Sequence, residues 1–130
     1  MAYKIKRKNV LCEELVIEAA GGRPELRLPV EMTIDQTLAQ FNRLRRMLGE
    51  LQAEAEKNPF DDAVISKLGI VIVAFFELIF GKDGCKNLVD YYENNYTEML
   101  EDVAPFIVDV VIPQMNLAME ERVNKYRRFR

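Results

Sequence analysis

Residues 68–80 read Leu-Gly-Ile-Val-Ile-Val-Ala-Phe-Phe-Glu-Leu-Ile-Phe, and Glu77 is the one charge in the run. Ile65, Leu68, Ile72, Phe75, Phe76 and Ile79 recur at intervals of three and four, the helical period, and so share a face. Val64, Val71 and Leu78 widen that face. A surface helix keeps a narrower apolar stripe, so an arc this broad belongs inside a bundle or against a partner. The β-branched cluster at 70–73 also suits a strand. Helix is preferred because the apolar tract runs on through Ala74 to Phe80 without a turn signal. The helix is expected from about Asp61, where Asp61 and Asp62 suit the dipole, to Phe80, with Gly81 placed to close it.

Upstream, a first helix starts at once after the N-terminal third. Thr33-Ile34-Asp35-Gln36 matches a capping box, and Leu38, Phe41, Leu44, Leu48, Leu51 and Ala55 lie on one face. Asn58-Pro59 ends it. The segment before it looks extended. Leu26, Leu28 and Val30 alternate with polar residues, the period of a half-buried strand, and residues 14–19 form a second run. Gly21-Gly22 between them supplies the positive φ angles of a hairpin turn. Pro29 cannot donate to a ladder, which makes its strand an edge. An earlier strand is expected around residues 3–6.

Downstream, Asp83 is placed to cap a short third helix through Leu88, Tyr91 and Tyr92, ending near Asn94-Asn95. A last helix begins near Thr97. Pro105 and Pro113 lie within its pattern, and each removes an internal hydrogen bond. That segment is kinked, or divided into two or three helices. Met115, Met119 and Val123 extend an apolar stripe toward a basic end. The expected fold is α+β, mostly α: a small N-terminal antiparallel hairpin or sheet (1–32) followed by a four- to five-helix bundle (33–130). A chain of 130 residues makes this a single domain, long enough to bury roughly two-thirds of its unfolded surface.

Composition narrows the chemistry. Histidine is absent, and Ser66 is the sole serine. Histidine is the usual general base and metal ligand near neutral pH, so Ser-His-Asp and Cys-His arrangements are excluded. Cys12 and Cys85 alone cannot complete a tetrahedral zinc site. The carboxylates at Asp61-Asp62, Glu98-Glu101-Asp102 and Glu120-Glu121 read as helix caps and solvated faces. Gly81-Lys82-Asp83-Gly84 fails the phosphate-loop pattern, with Phe76 where its first glycine should be and Asp83 in place of Ser or Thr. No enzyme, cofactor or metal is expected.

The formal charge of −3 draws the chain toward neither nucleic acid nor membrane. The tail Lys125-Tyr126-Arg127-Arg128-Phe129-Arg130 interleaves aromatics with cations, as a nucleic-acid contact does. Basic residues also suit a helix C-terminus, and the acidic remainder disfavours phosphate. The N-terminus does not read as a signal peptide, and residues 68–80 fall short of the ~20 needed to span a bilayer. A cytoplasmic protein with reduced thiols is expected.

Three features carry a family resemblance. One is the length with its hairpin-then-helices layout; another is the aromatic-rich helix ending Phe75-Phe76-Glu77-Leu78-Ile79-Phe80-Gly81. The third is the short tyrosine-bearing helix followed by Asp102-Val103-Ala104-Pro105-Phe106-Ile107 and Ile112-Pro113. In these the chain resembles the small tail assembly chaperones of long-tailed, siphovirus-like phages and prophages of Gram-positive bacteria. The resemblance implies a non-enzymatic protein of the bacterial host cytoplasm that coats the tape measure protein and helps recruit tail tube subunits. It further implies homo-oligomers and, in many members, a longer frameshifted form. Partner contacts are expected at the exposed portions of Val71, Phe75, Leu78 and Met119. The alternatives are a phage structural or head–tail joining adaptor, and a nucleic-acid-binding regulator using the basic C-terminal end.

Overall fold

The computed structural model describes residues 2–5, 11–32 and 34–128, without the side chains of residues 11, 12, 31 and 34–36. The capping box at Thr33 and Gln36, the Cys12 thiol, Lys6, Phe129 and Arg130 lie outside this description. Strand β1, Leu11–Ile17, pairs antiparallel with β2, Leu26–Met32, from Leu11↔Met32 to Ile17↔Leu26. Residues 3–5 form no strand, so the expected earlier strand is not found there. At the tip, Gly21 (φ 56°) and Gly22 (φ 80°) sit between Ala20 and Arg23, whose N–H donates to the Ala20 carbonyl at 2.9 Å. Two successive positive φ angles define a type I′ turn, whose twist matches that of the strands.

Alternation along β2 sorts its side chains as the sequence implies. Leu28 and Val30 are buried on the helices while Arg27 and Pro29 face out. Leu15 and Ile17, which pair with Leu28 and Leu26, pack beside them.

Helix α1 spans Ile34–Lys57 and buries Phe41 and Leu48. Helix α2, Asp62–Tyr91, is capped by Asp61, whose carboxylate accepts from the Ala63 N–H at 3.0 Å. Its helical geometry breaks at Gly81, as the sequence implies, but no linker follows. Gly81 takes a non-helical φ of 79° and ψ of 169°, and the second arm follows immediately. The expected third helix is therefore this arm, with Cys85 and Leu88 buried along it. Gly84 gives it room: a Cβ there would stand 3.0 Å from that of Phe80.

The last segment is one helical rod. Helix α3, Tyr96–Phe106, passes into a π-helical turn, Ile107–Val111, and then helix α4, Ile112–Arg127. The Ile112 N–H donates five residues back to the Ile107 carbonyl. Pro113 has no N–H, and its ring would meet the carbonyl four residues back in a regular α-helix. A wider π turn just before it relieves that crowding and keeps the rod continuous. Three helical rods thus stand, among the described residues, where four to five helices are expected. Gly81 kinks α2 between its two arms, and the rod runs on through Pro105 and Pro113.

α2 lies at the centre. It meets α1 on one side, β2 on another and α3 on a third, which explains why its apolar residues surround it. Phe41, Phe75, Phe76, Phe80 and Phe106 form an aromatic run through this core, with successive ring centroids 5.1–6.3 Å apart. By length and composition alone, α2 and the rod would each reach across a bilayer. Half of α2's most apolar window is instead buried within this fold, but only 22% of the rod's is.

The hairpin tip is fastened to the end of α2. Helix α2 carries no basic residue in its last turn, where a cation is favourable. Arg23 supplies one: it donates to the Asp90 carbonyl at 3.3 Å, pairs with Glu93 and lies 5.5 Å from the Tyr91 ring centroid. Tyr91 in turn donates to the Glu18 carbonyl at 3.3 Å. At the other end of the sheet, Gln114 of α4 donates to the Glu13 carboxylate at 2.6 Å.

Candidate partner-binding surface

The four residues expected to meet a partner lie on two helices, Val71, Phe75 and Leu78 on α2 and Met119 on α4. Val71 and Phe75 are 6% and 2% exposed. The Phe75 ring packs 5.1 Å from Phe41 at the seam of α1 and α2. Val71 serves the core, which corrects the expectation that it presents an exposed portion, whereas Phe75 packs in the core and keeps one edge on the groove described next. Leu78 and Met119 are half-buried, one on α2 and the other on α4.

A groove that the sequence does not announce runs between α1 and the rod. A cavity of about 280 Å³ is lined by Arg45, Leu48, Gly49, Phe75, Ile107 and Ile112, among others. A second, of about 550 Å³, adjoins it, and the two share Gln52, Leu100 and Ala104. The second extends past Ala55 to Glu56, Thr97 and Glu101. Phe75 thus contributes to this groove from its floor. Gly49, Ala55 and Ala104 keep the walls low, so a backbone can approach closely. A cation marks one end, Arg45, and two carboxylates the other, Glu56 and Glu101.

Two further apolar areas face outward. Ile65 and Ile70 on α2 flank a cavity of about 510 Å³ with Val73 and Tyr96. Tyr96 rests on Gly69, where a Cβ would come within 3.1 Å of its ring. On the rod, Val108, Leu117, Val123 and Tyr126 are 44–65% exposed, and no described residue of α4 beyond Met115 is buried.

The polar groups read as ties between elements. Tyr92 donates to the Asp102 carboxylate at 2.9 Å, joining the end of α2 to α3. Burial and that carboxylate raise its pKa, so it remains a donor at neutral pH. Burial pushes the Cys85 thiol up to about 11, with the Glu77 charge adding to the rise. Its Sγ lies 3.6 Å from the Val73 carbonyl. A thiol so protonated is a poor nucleophile. Gly81-Lys82-Asp83-Gly84 lies within α2 and forms no loop to cradle phosphate. Among the described residues no three His, Cys, Asp or Glu side chains gather where they could hold a metal ion. Lys125 and Arg127 occupy the last turn of α4, with Arg128 as its C-cap.

No protein-family model, curated protein or solved structure matches this chain.

Proposed function

We propose that this chain is a phage tail assembly chaperone that binds an extended, aggregation-prone tape measure protein and helps recruit tail tube subunits around it. The observation that carries the reading is the pair of open apolar surfaces, the α1–rod groove and the exposed stripe of α4. They suit reversible contacts with a helical client and with further copies of the same chain. The family resemblance of residues 68–115 supplies the identity of that client. A chaperone of this kind works in the cytoplasm of the bacterial host and leaves before the virion is complete.

The test is co-expression with the long tail protein, followed by size exclusion with light scattering. A soluble complex containing many copies of this chain per client supports the reading. A client that precipitates while this chain stays unbound refutes it. Persistence of the chain in purified virions would instead assign it to the structural or head–tail joining class.

A further inference from the structure

We infer that the groove between α1 and the rod receives the exposed α4 of a second copy of this chain. The two surfaces match in length. The groove follows α1 from Arg45 to Glu56, and the unburied part of α4 runs from Asn116 to Arg127. Each spans about 16 Å at the α-helical rise.

They match in chemistry as well. Met119, Val123 and Tyr126 recur every three or four residues and form one apolar stripe. Leu48, Phe75, Leu100 and Ile107 give the groove an apolar floor, and Gly49 and Ala104 admit a helix backbone. Charge then selects a direction. α4 carries Glu120, Glu121 and Arg122 in its middle, a net single negative charge, and Lys125, Arg127 and Arg128 at its end. Laid parallel to α1, it brings its basic end to Glu56 and Glu101 and its acidic portion toward Arg45. The reverse orientation would set Lys125 and Arg127 beside Arg45, and like charges in contact disfavour it.

The molecule's own α4 cannot occupy this groove. Residues 97–112 of the rod form one wall, and α4 continues onward from Ile112. The contact joins two different surfaces, so it either propagates head to tail or closes in a reciprocal pair. One helix face seated in one groove makes a small contact, so association is sought at high protein concentration. No client takes part, so this contact and the chaperone reading fail independently.

Two variants of the full chain test it. Gly49→Trp fills the groove from its wall, where a Cβ meets nothing within 4 Å. Val123→Asp with Tyr126→Asp spoils the stripe. Sedimentation at roughly 100 μM should show association of the wild-type chain. Each variant alone should associate at least ~10-fold more weakly, while an equimolar mixture should form heterodimers, since one partner keeps a groove and the other a helix. A monomeric wild-type chain, a groove variant that associates like the wild type, or a mixture without heterodimers overturns the inference. If Gly49→Trp loses its helical circular dichroism, Glu56→Lys with Glu101→Lys replaces it. That pair should weaken association, and mixing with Lys125→Glu plus Arg127→Glu should restore it; no restoration overturns the inference equally.

Discussion

Replacing glycine by alanine should have opposite effects at two helical positions of this chain. Gly81 interrupts α2 with φ 79° and ψ 169°, a region open essentially to glycine, where another residue costs about 1–3 kcal/mol. No atom lies within 4 Å of an added Cβ, so the cost is backbone strain and not collision. Gly49, inside α1, likewise meets nothing within 4 Å, and its φ is not positive. There alanine gains helix propensity, roughly 0.5–1 kcal/mol. For a chain of this length, 1 kcal/mol corresponds to about 4 °C in Tm. Gly81→Ala should lower Tm by about 4–12 °C, and Gly49→Ala should raise it by about 2–4 °C. Urea unfolding followed by circular dichroism would report both, with unchanged m-values showing that neither alters the surface exposed. A Gly81→Ala protein as stable as the wild type would refute the account, because α2 would then run straight through position 81.

Three other outcomes follow from the core and its ties. Phe76→Ala, at a side chain with no exposed surface between Phe75 and Phe80, should cost about 3–5 kcal/mol, whereas Ile70→Ala on the same helix, 70% exposed, should stay within about 0.5 kcal/mol in chemical denaturation. Arg23→Ala removes the tie between hairpin tip and α2; with the Arg23 and Glu93 side chains 39% and 69% exposed, solvent screens the pair, and the loss should be about 1 kcal/mol or less and shrink further in high salt. Cys85 keeps its proton up to about pH 11 when folded but releases it near 9 when unfolded. Between those values the folded state binds more protons, so the thiol's contribution is complete below pH 9 and declines as pH rises to about 11. The stability difference between wild type and Cys85→Ala should narrow over that interval by an amount on the order of 2 kcal/mol, and a constant difference would count against the buried thiol.

The hairpin and α1 were legible because their signals are local. Gly21-Gly22 fixes the turn through its own φ angles, Leu26, Leu28 and Val30 fix the buried face of β2, and Asn58-Pro59 bounds α1. The number of helices was not, because Gly81, Pro105 and Pro113 act through their surroundings. A glycine at positive φ ends a helix when the chain leaves it, yet here the second arm of α2 is held by Cys85 and Leu88 in the core and by Arg23 at its end. A proline breaks a helix unless the backbone widens to accommodate it, and the turn at 107–111 does so.

The same distinction governs the contact surface. Val71 and Phe75 belong to an arc that is apolar all round, and sequence alone offers no reason to assign any part of that arc to solvent. The packing of α1, β2 and α3 around α2 makes the assignment, and it leaves Ile65 and Ile70 outside while enclosing Val71 and Phe75. The groove is less legible still, since its walls depend on Gly49 of α1 lying opposite Ala104 of α3, fifty-five positions later. In sequence these are two small residues in unrelated helices. They become a site only because α1 and the rod flank the same central helix, and the surplus apolar surface that α2 does not cover then falls to α4. An open groove and an exposed helix that match in length and charge would let the chain assemble with itself, and the mixing of two individually defective variants tests that inference without reference to any client.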